Sequence, residues 1–179
     1  TQALKAIQKN EQLLRKVSEK LSAPLEKLES TTERLVTEWK ETRRERERLI
    51  KEIADLSAKE YLIKAKEIQG LKVVTQTLKE ENIDRLIQTA NELIKEESKA
   101  VVVLCATNKT ARLVVMAGKD AIKRGINARQ IADEAAALLG GGGSGRPDFA
   151  QGGGTQIEKV PETLQKAEET IRKQVKMKQ

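Results

Sequence analysis

From residue 25 onward the apolar positions recur in steps of three and four. Leu25, Leu28, Thr32, Leu35, Trp39, Thr42, Arg46, Leu49, Ile53, Leu56, Glu60 and Ile63 form one heptad seam. Such spacing places side chains on a single helical stripe that packs knobs-into-holes against another helix. A helix over 25–66 is about 63 Å long at ~1.5 Å per residue, and its stripe needs a partner: the preceding helix, a second chain, or both. The segment before it repeats the theme. Ile7, Leu14 and Leu21 are seven apart, with Val17 and Asn10 on the other seam position, until Ser22-Ala23-Pro24 interrupts. Proline cannot continue a helix but is accepted in the first turn of the next one. Residues 1–69 therefore read as a coiled-coil-like helix-turn-helix arm. Thr42 and Arg46 break the seam beside the mixed-charge run Arg43–Arg48, which is either a solvated helix surface with i,i+4 pairs or a phosphate-facing patch.

Beyond Gly70 the period shortens. Leu71–Leu78 reads as a strand, and Asn82 caps a helix whose face carries Ile83, Leu86, Ile87, Ala90, Leu93 and Ile94. Two further strands, 101–107 and 110–117, flank Asn108-Lys109 as a hairpin, and Ala100–Ala106 is apolar on both faces, as a central strand is. Asn127 caps the next helix, with Ile131, Ala135, Leu138 and Leu139 inward. Pro161 opens a last one, with Leu164, Ala167, Ile171 and Val175 on its apolar face. Residues 70–179 thus form a small β-α-β-β-α-α globular domain, and the whole chain is α+β: a long N-terminal arm, then a layered domain with a glycine-rich loop.

That loop is the densest signal in the chain: eight of the 11 glycines lie within residues 140–154. Such a run is either a flexible linker or a surface where a ligand approaches the backbone closely. Gly140, Gly142 and Gly145 satisfy the spacing of a dinucleotide fingerprint, but a helix precedes them and Arg146-Pro147 follows, so the required strand-to-helix context is absent. The segment Leu138-Leu139, Gly140–Gly145, Arg146-Pro147-Asp148, Ala150-Gln151 and Gly152–Gly154 resembles the motif of the DHH-associated domain that closes alanyl-tRNA synthetases. Ser144 departs from the family's usual glycine. The resemblance covers roughly residues 70–175. It implies a non-catalytic C-terminal module that grips the tRNA elbow, helps couple aminoacylation with editing, and dimerises through its helical arm. Leu28, Leu35, Trp39, Leu49, Ile53 and Leu56 would form the dimer seam.

Charge sharpens the picture. The net charge is +7 and the pI about 9.5, a balance that favours polyanions. Within 99–130, Lys99, Lys109, Arg112, Lys119, Lys123, Arg124 and Arg129 stand against Asp120 alone. This window is either a solvated basic surface or a phosphate-contacting patch beside the glycine loop. A flat glycine platform with free N–H groups, flanked by Arg146 and Lys123/Arg124, suits a structured RNA corner, which is recognised by shape, stacking and 2′-OH contacts. The expected tRNA-contacting set is Gly140, Gly141, Gly142, Gly143, Ser144, Gly145, Arg146, Asp148, Gln151, Gly152, Gly153, Lys123, Arg124 and Arg129. Asp148 is expected to brace the loop and Phe149 to anchor it in the core.

Histidine is absent, which excludes Ser-His-Asp and Cys-His catalysis and the common zinc sites. Cys105, in an apolar run, reads as a small core residue; a lone cysteine fits a reducing, cytoplasmic setting. No run of ~18 apolar residues spans a membrane, and no cofactor or metal is expected. The initial Thr1 suggests a fragment. Two other readings remain at this level: an accessory nucleic-acid-binding domain of a DHH-type phosphoesterase, whose metal centre would lie in another domain, and a structural coiled-coil scaffold.

Overall fold

The computed structural model describes residues 2–79 and 82–176. The chain divides into two compact units, 1–48 and 49–179. In the first, helix α1 (Gln2–Leu21) ends at Ser22, whose φ of 49° turns the chain, and a short 3-10 turn over Leu25–Lys27 leads into helix α2 (Leu28–Ile63). Exposed pairs at helical spacing lace the surface: Arg15–Glu11, Arg34–Glu38, Arg43–Glu47 and Arg48–Glu45. This is the solvated form of the charge run, with Arg43 also lying 5.7 Å from the Trp39 ring centroid.

The second unit begins within α2. The expected helix to residue 66 stops at Ile63, and Lys66–Ile68 forms strand β1, the edge of the sheet. The β1 strand pairs with β2 (Leu71–Lys79) through Gln69-Gly70, both at positive φ (51° and 75°), a two-residue turn whose twist suits a hairpin. Gly70 is therefore a hairpin residue, and the sheet starts before the boundary that composition suggests. Helix α3 (Ile83–Glu96) crosses to β3 (Ala100–Thr107), parallel to β2, and β4 (Ala111–Ala117) follows antiparallel. Then come a short helix α4 (Lys119–Lys123), helix α5 (Ala128–Leu138), strands β5 (Gly142–Gly145) and β6 (Phe149–Gly154), and helix α6 (Val160–Lys176). The strand order is β1-β2-β3-β4-β6-β5. The fold is α+β as the pattern predicts. The glycine segment, however, is not a loop or a linker; it supplies two of the six strands.

Two cores result because β3 is apolar on both faces. Val101, Val103 and Cys105 meet Ile131 and Ala135 of α5, Leu139 just past its end, and Ala167 and Ile171 of α6. Val102, Leu104 and Ala106 meet Leu86, Ala90 and Leu93 of α3. Ala58 of α2 joins the second cluster, with Tyr61 and Leu62 packed against it. The stripe that seats α2 on this core is thus Ala58, Tyr61 and Leu62, whereas the heptad residues Leu49, Ile53 and Leu56 point elsewhere and are exposed. The two asparagine caps form as expected: Asn82 accepts from the Arg85 N–H, and Asn127 from those of Arg129 and Gln130.

Candidate nucleic-acid interface

The glycine segment is built by helix ending, close packing and sheet pairing in turn. Helix α5 closes with the Gly140 N–H donating to Ala137 and the Gly141 N–H to Ala136, while Gly140 takes φ +73°. These two bonds satisfy carbonyls that a helix end leaves orphaned. The chain then runs back beneath α5 as β5. A Cβ on Gly143 would lie 2.5 Å from the Ala132 carbonyl carbon and the Asp133 nitrogen, and one on Gly152 2.8 Å from the Ala136 methyl. Helix backbone and strand backbone are in contact, with only small residues between them. Gly143 and Gly152 therefore serve this packing, Gly154 lies as close to Leu139, and the edge N–H of Gly143 is answered by Asp133 at 3.3 Å.

The expectation of a free glycine platform is consequently half met. Successive residues of a strand face opposite ways, so Gly143 and Gly152 face α5 while Gly142, Ser144, Gln151 and Gly153 face the other side. That side is open: Gly142 and Ser144 are exposed, Gln151 and Gly153 half-buried, and a Cβ on Gly142 would meet nothing within 4 Å. Across three strands the register aligns Arg112, Gly153 and Gly142, and in the next row Val114, Gln151 and Ser144. At ~4.8 Å per strand the bare row beside Arg112 is about 10 Å wide.

At the other end of the hairpin, Arg146 and Asp148 form a two-point ion pair, both bonds 3.0 Å, with Arg146 well exposed. The Arg146 hydrogen bonds hold the Asp148 carboxyl below its ordinary value, and the carboxylate in turn raises Arg146. The Pro147 carbonyl accepts from Ala128 at the start of α5, and the Asp148 carbonyl from Ala117 at the end of β4. Asp148 is thus the brace its sequence context suggests. Phe149 packs half-buried against the α3-side core.

The predicted cations are not gathered around one platform. Arg124 donates to the Gln69 carbonyl at 3.1 Å and braces the β1–β2 turn. Lys123 pairs with Asp120 at 3.0 Å, and Asp120, also bonded by Ser98, is held below the ordinary carboxylate value. Arg129 is exposed in the first turn of α5. These three lie with Arg146 at the end of the sheet where β4 finishes and β6 begins. Gly140–Gly142 and Gly153 lie at the opposite end, beside the β3–β4 turn. There Arg112 and Lys109, counted in the sequence only as part of a basic window, flank the bare row. The alternation of β4 puts Arg112 on the face of Val114 and Met116; that α3 covers those two and leaves Arg112 and the hairpin beside it open is a tertiary fact. Among the described residues, no cluster of three or more cysteine, aspartate or glutamate side chains suits a metal ion.

Residues 70–173 match the DHHA1 domain. Over 97% of its length this chain is 35% identical to the alanine–tRNA ligase of Methanococcoides burtonii and 37% identical to that of Methanosarcina barkeri, covering 19% of each. The alanine–tRNA ligase of Acetivibrio thermocellus is 37% identical over 97% of the chain and is covered for 20%. The chain thus spans about one fifth of the curated relatives it matches. Among solved structures, the C-Ala domain from Aquifex aeolicus alanyl-tRNA synthetase superposes with a TM-score of 0.56 at 27% identity, covering 60% of this chain and 97% of that one.

Proposed function

We propose that this chain, which belongs to the DHHA1 domain family, acts as the non-catalytic C-terminal module of an alanyl-tRNA synthetase and binds the tRNA elbow. The observation that carries this reading is the open side of the β5–β6 hairpin. Its bare Gly153–Gly142 row beside Arg112 and the polar Gln151 and Ser144 next to it form a flat shelf. A surface without side chains admits the flat edge of a base pair or ribose, and the neighbouring cations meet phosphates. The likeness to alanine–tRNA ligases over nearly the whole chain supports the parentage. Such a grip on the elbow would keep one tRNA within reach of both aminoacylation and editing, and the parent would work in the cytoplasm. The arm would dimerise: Leu35, Trp39, Leu49, Ile53 and Leu56 are exposed along α2, Trp39 at 60% and Leu56 at 66%, with Leu28 half-buried at its start.

The test is binding of the chain to intact tRNA and to an acceptor-stem minihelix across a salt series. Tight binding to tRNA alone, falling steeply with salt, is the expected outcome. Equal binding to both would mean the positive charge acts without regard to shape, and the elbow assignment would fall.

A further inference from the structure

We infer that the recess at the β3–β4 turn is a nucleotide subsite, taking one unpaired nucleotide of the bound RNA beside the glycine row; this rests on the RNA-binding reading above. The recess has a volume of about 300 Å³, at the lower end of the range for small-molecule sites. Its charged lining residues are two cations, Lys109 and Arg112, both exposed and neither in an ion pair among the described residues. At the other end of the sheet Arg146 is engaged by Asp148, Lys123 by Asp120 and Arg124 by the Gln69 carbonyl, while Arg129 is exposed. Lys109 and Arg112 thus offer their charge to a phosphate directly beside the bare glycine row.

The remaining lining has the makings of base recognition. The carboxamide oxygen of Asn82 accepts from the Arg85 N–H, which leaves its NH2 as a donor. Asn108 and Thr110 add donors and acceptors, and Ala106 and Ile83 supply an apolar wall for a ring face. A site for phosphate alone has no need of paired amides or an apolar wall. Arg112 belongs to both the recess and the bare row, so a nucleotide held here continues directly onto the Gly153–Gly142 shelf. Unpaired, splayed nucleotides are what sequence-reading RNA proteins bind in this manner.

The experiment titrates the 15N-labelled chain with adenosine 5′-monophosphate and, in parallel, inorganic phosphate. It then compares tRNA affinity of the wild type and of Lys109→Gln/Arg112→Gln, both exposed positions, with the melting temperature as a check on folding. Saturable shifts at Asn82, Lys109, Thr110 and Arg112, at least about tenfold tighter for the nucleotide than for phosphate, are expected, with tRNA affinity down about tenfold or more in the double variant. Equal affinity for phosphate would reduce the recess to an anion site and overturn the assignment, as would shifts confined to other residues. If the wild type prefers tRNA to the minihelix and the double variant matches it, the subsite falls and the proposed function stands. If the wild type shows no such preference, the proposed function falls, and the nucleotide titration decides the recess by itself.

Discussion

Cys105 and Asp148 show how placement sets the chemistry of single residues. Cys105 is fully buried on β3, and burial pushes its thiol up to about 11. At neutral pH almost none of it is the reactive thiolate. A thiol-specific reagent should therefore modify it only at the rate of unfolding; modification at the rate of a free thiol would mean that the sheet opens. Asp148 is shifted the other way, chiefly by the hydrogen bonds from Arg146. A carboxyl lowered in the folded state contributes stability in full above its ordinary value of 3.8, and that contribution is lost as pH falls through the lowered one. The Asp148 carboxyl carbon should titrate below 3.8 by NMR, and Arg146→Gln should return it toward that value. Titration at the ordinary value in the wild type would show the ion pair is not held in solution.

At the scale of elements, the close approach of α5 to the β5–β6 hairpin makes neighbouring glycines behave oppositely. Gly143→Ala drives a methyl into helix backbone that has no flexible end to move aside, and should destabilise by about 1–3 kcal/mol or more. Gly142→Ala meets nothing within 4 Å and should stay within about 0.5 kcal/mol of the wild type in urea unfolding. A large residue at Gly142 should weaken tRNA binding while leaving stability in place; equal losses of both would assign this glycine to folding. The cap is a separate test. Asn127 receives two backbone N–H groups, and its own N–H and carbonyl are bonded by Gln174 of α6. Asn127→Ala should cost about 1 kcal/mol.

For the molecule as a whole, α2 carries two different stripes. Ala58, Tyr61 and Leu62 join the core of the second unit, while Leu49, Ile53 and Leu56 remain exposed. In the first unit, α1 has no buried residue, and an apolar groove of about 480 Å³ runs between Leu14 and Val17 of α1 and Leu28 and Val36 of α2. Among the described residues, Leu35, Trp39, Leu49, Ile53 and Leu56 of the seam thus remain exposed. If a second chain covers it, Leu49→Arg should halve the mass measured by sedimentation. An unchanged mass would take Leu49 out of the interface.

Local chemistry was enough for most elements. Alternation and capping mark β2, α3, β3, β4, α5 and α6 because a pleated strand and an amphipathic helix each impose a period on their own residues. The family motif was equally legible, since it is a contiguous string from Leu138 to Gly154. Strands β5 and β6 were not, because glycine has no side chain to show a period; their strand state comes from the ladder with β4 and the weight of α5 upon them. Strand β1 is three residues long, too short for a pattern, and exists through its pairing with β2. The site follows the same division. Residue types alone pointed to glycines and cations. Which side of the hairpin stays open, and that Arg112 rather than Arg124 stands beside it, depend on which helix lies over which face, and only long-range packing sets that.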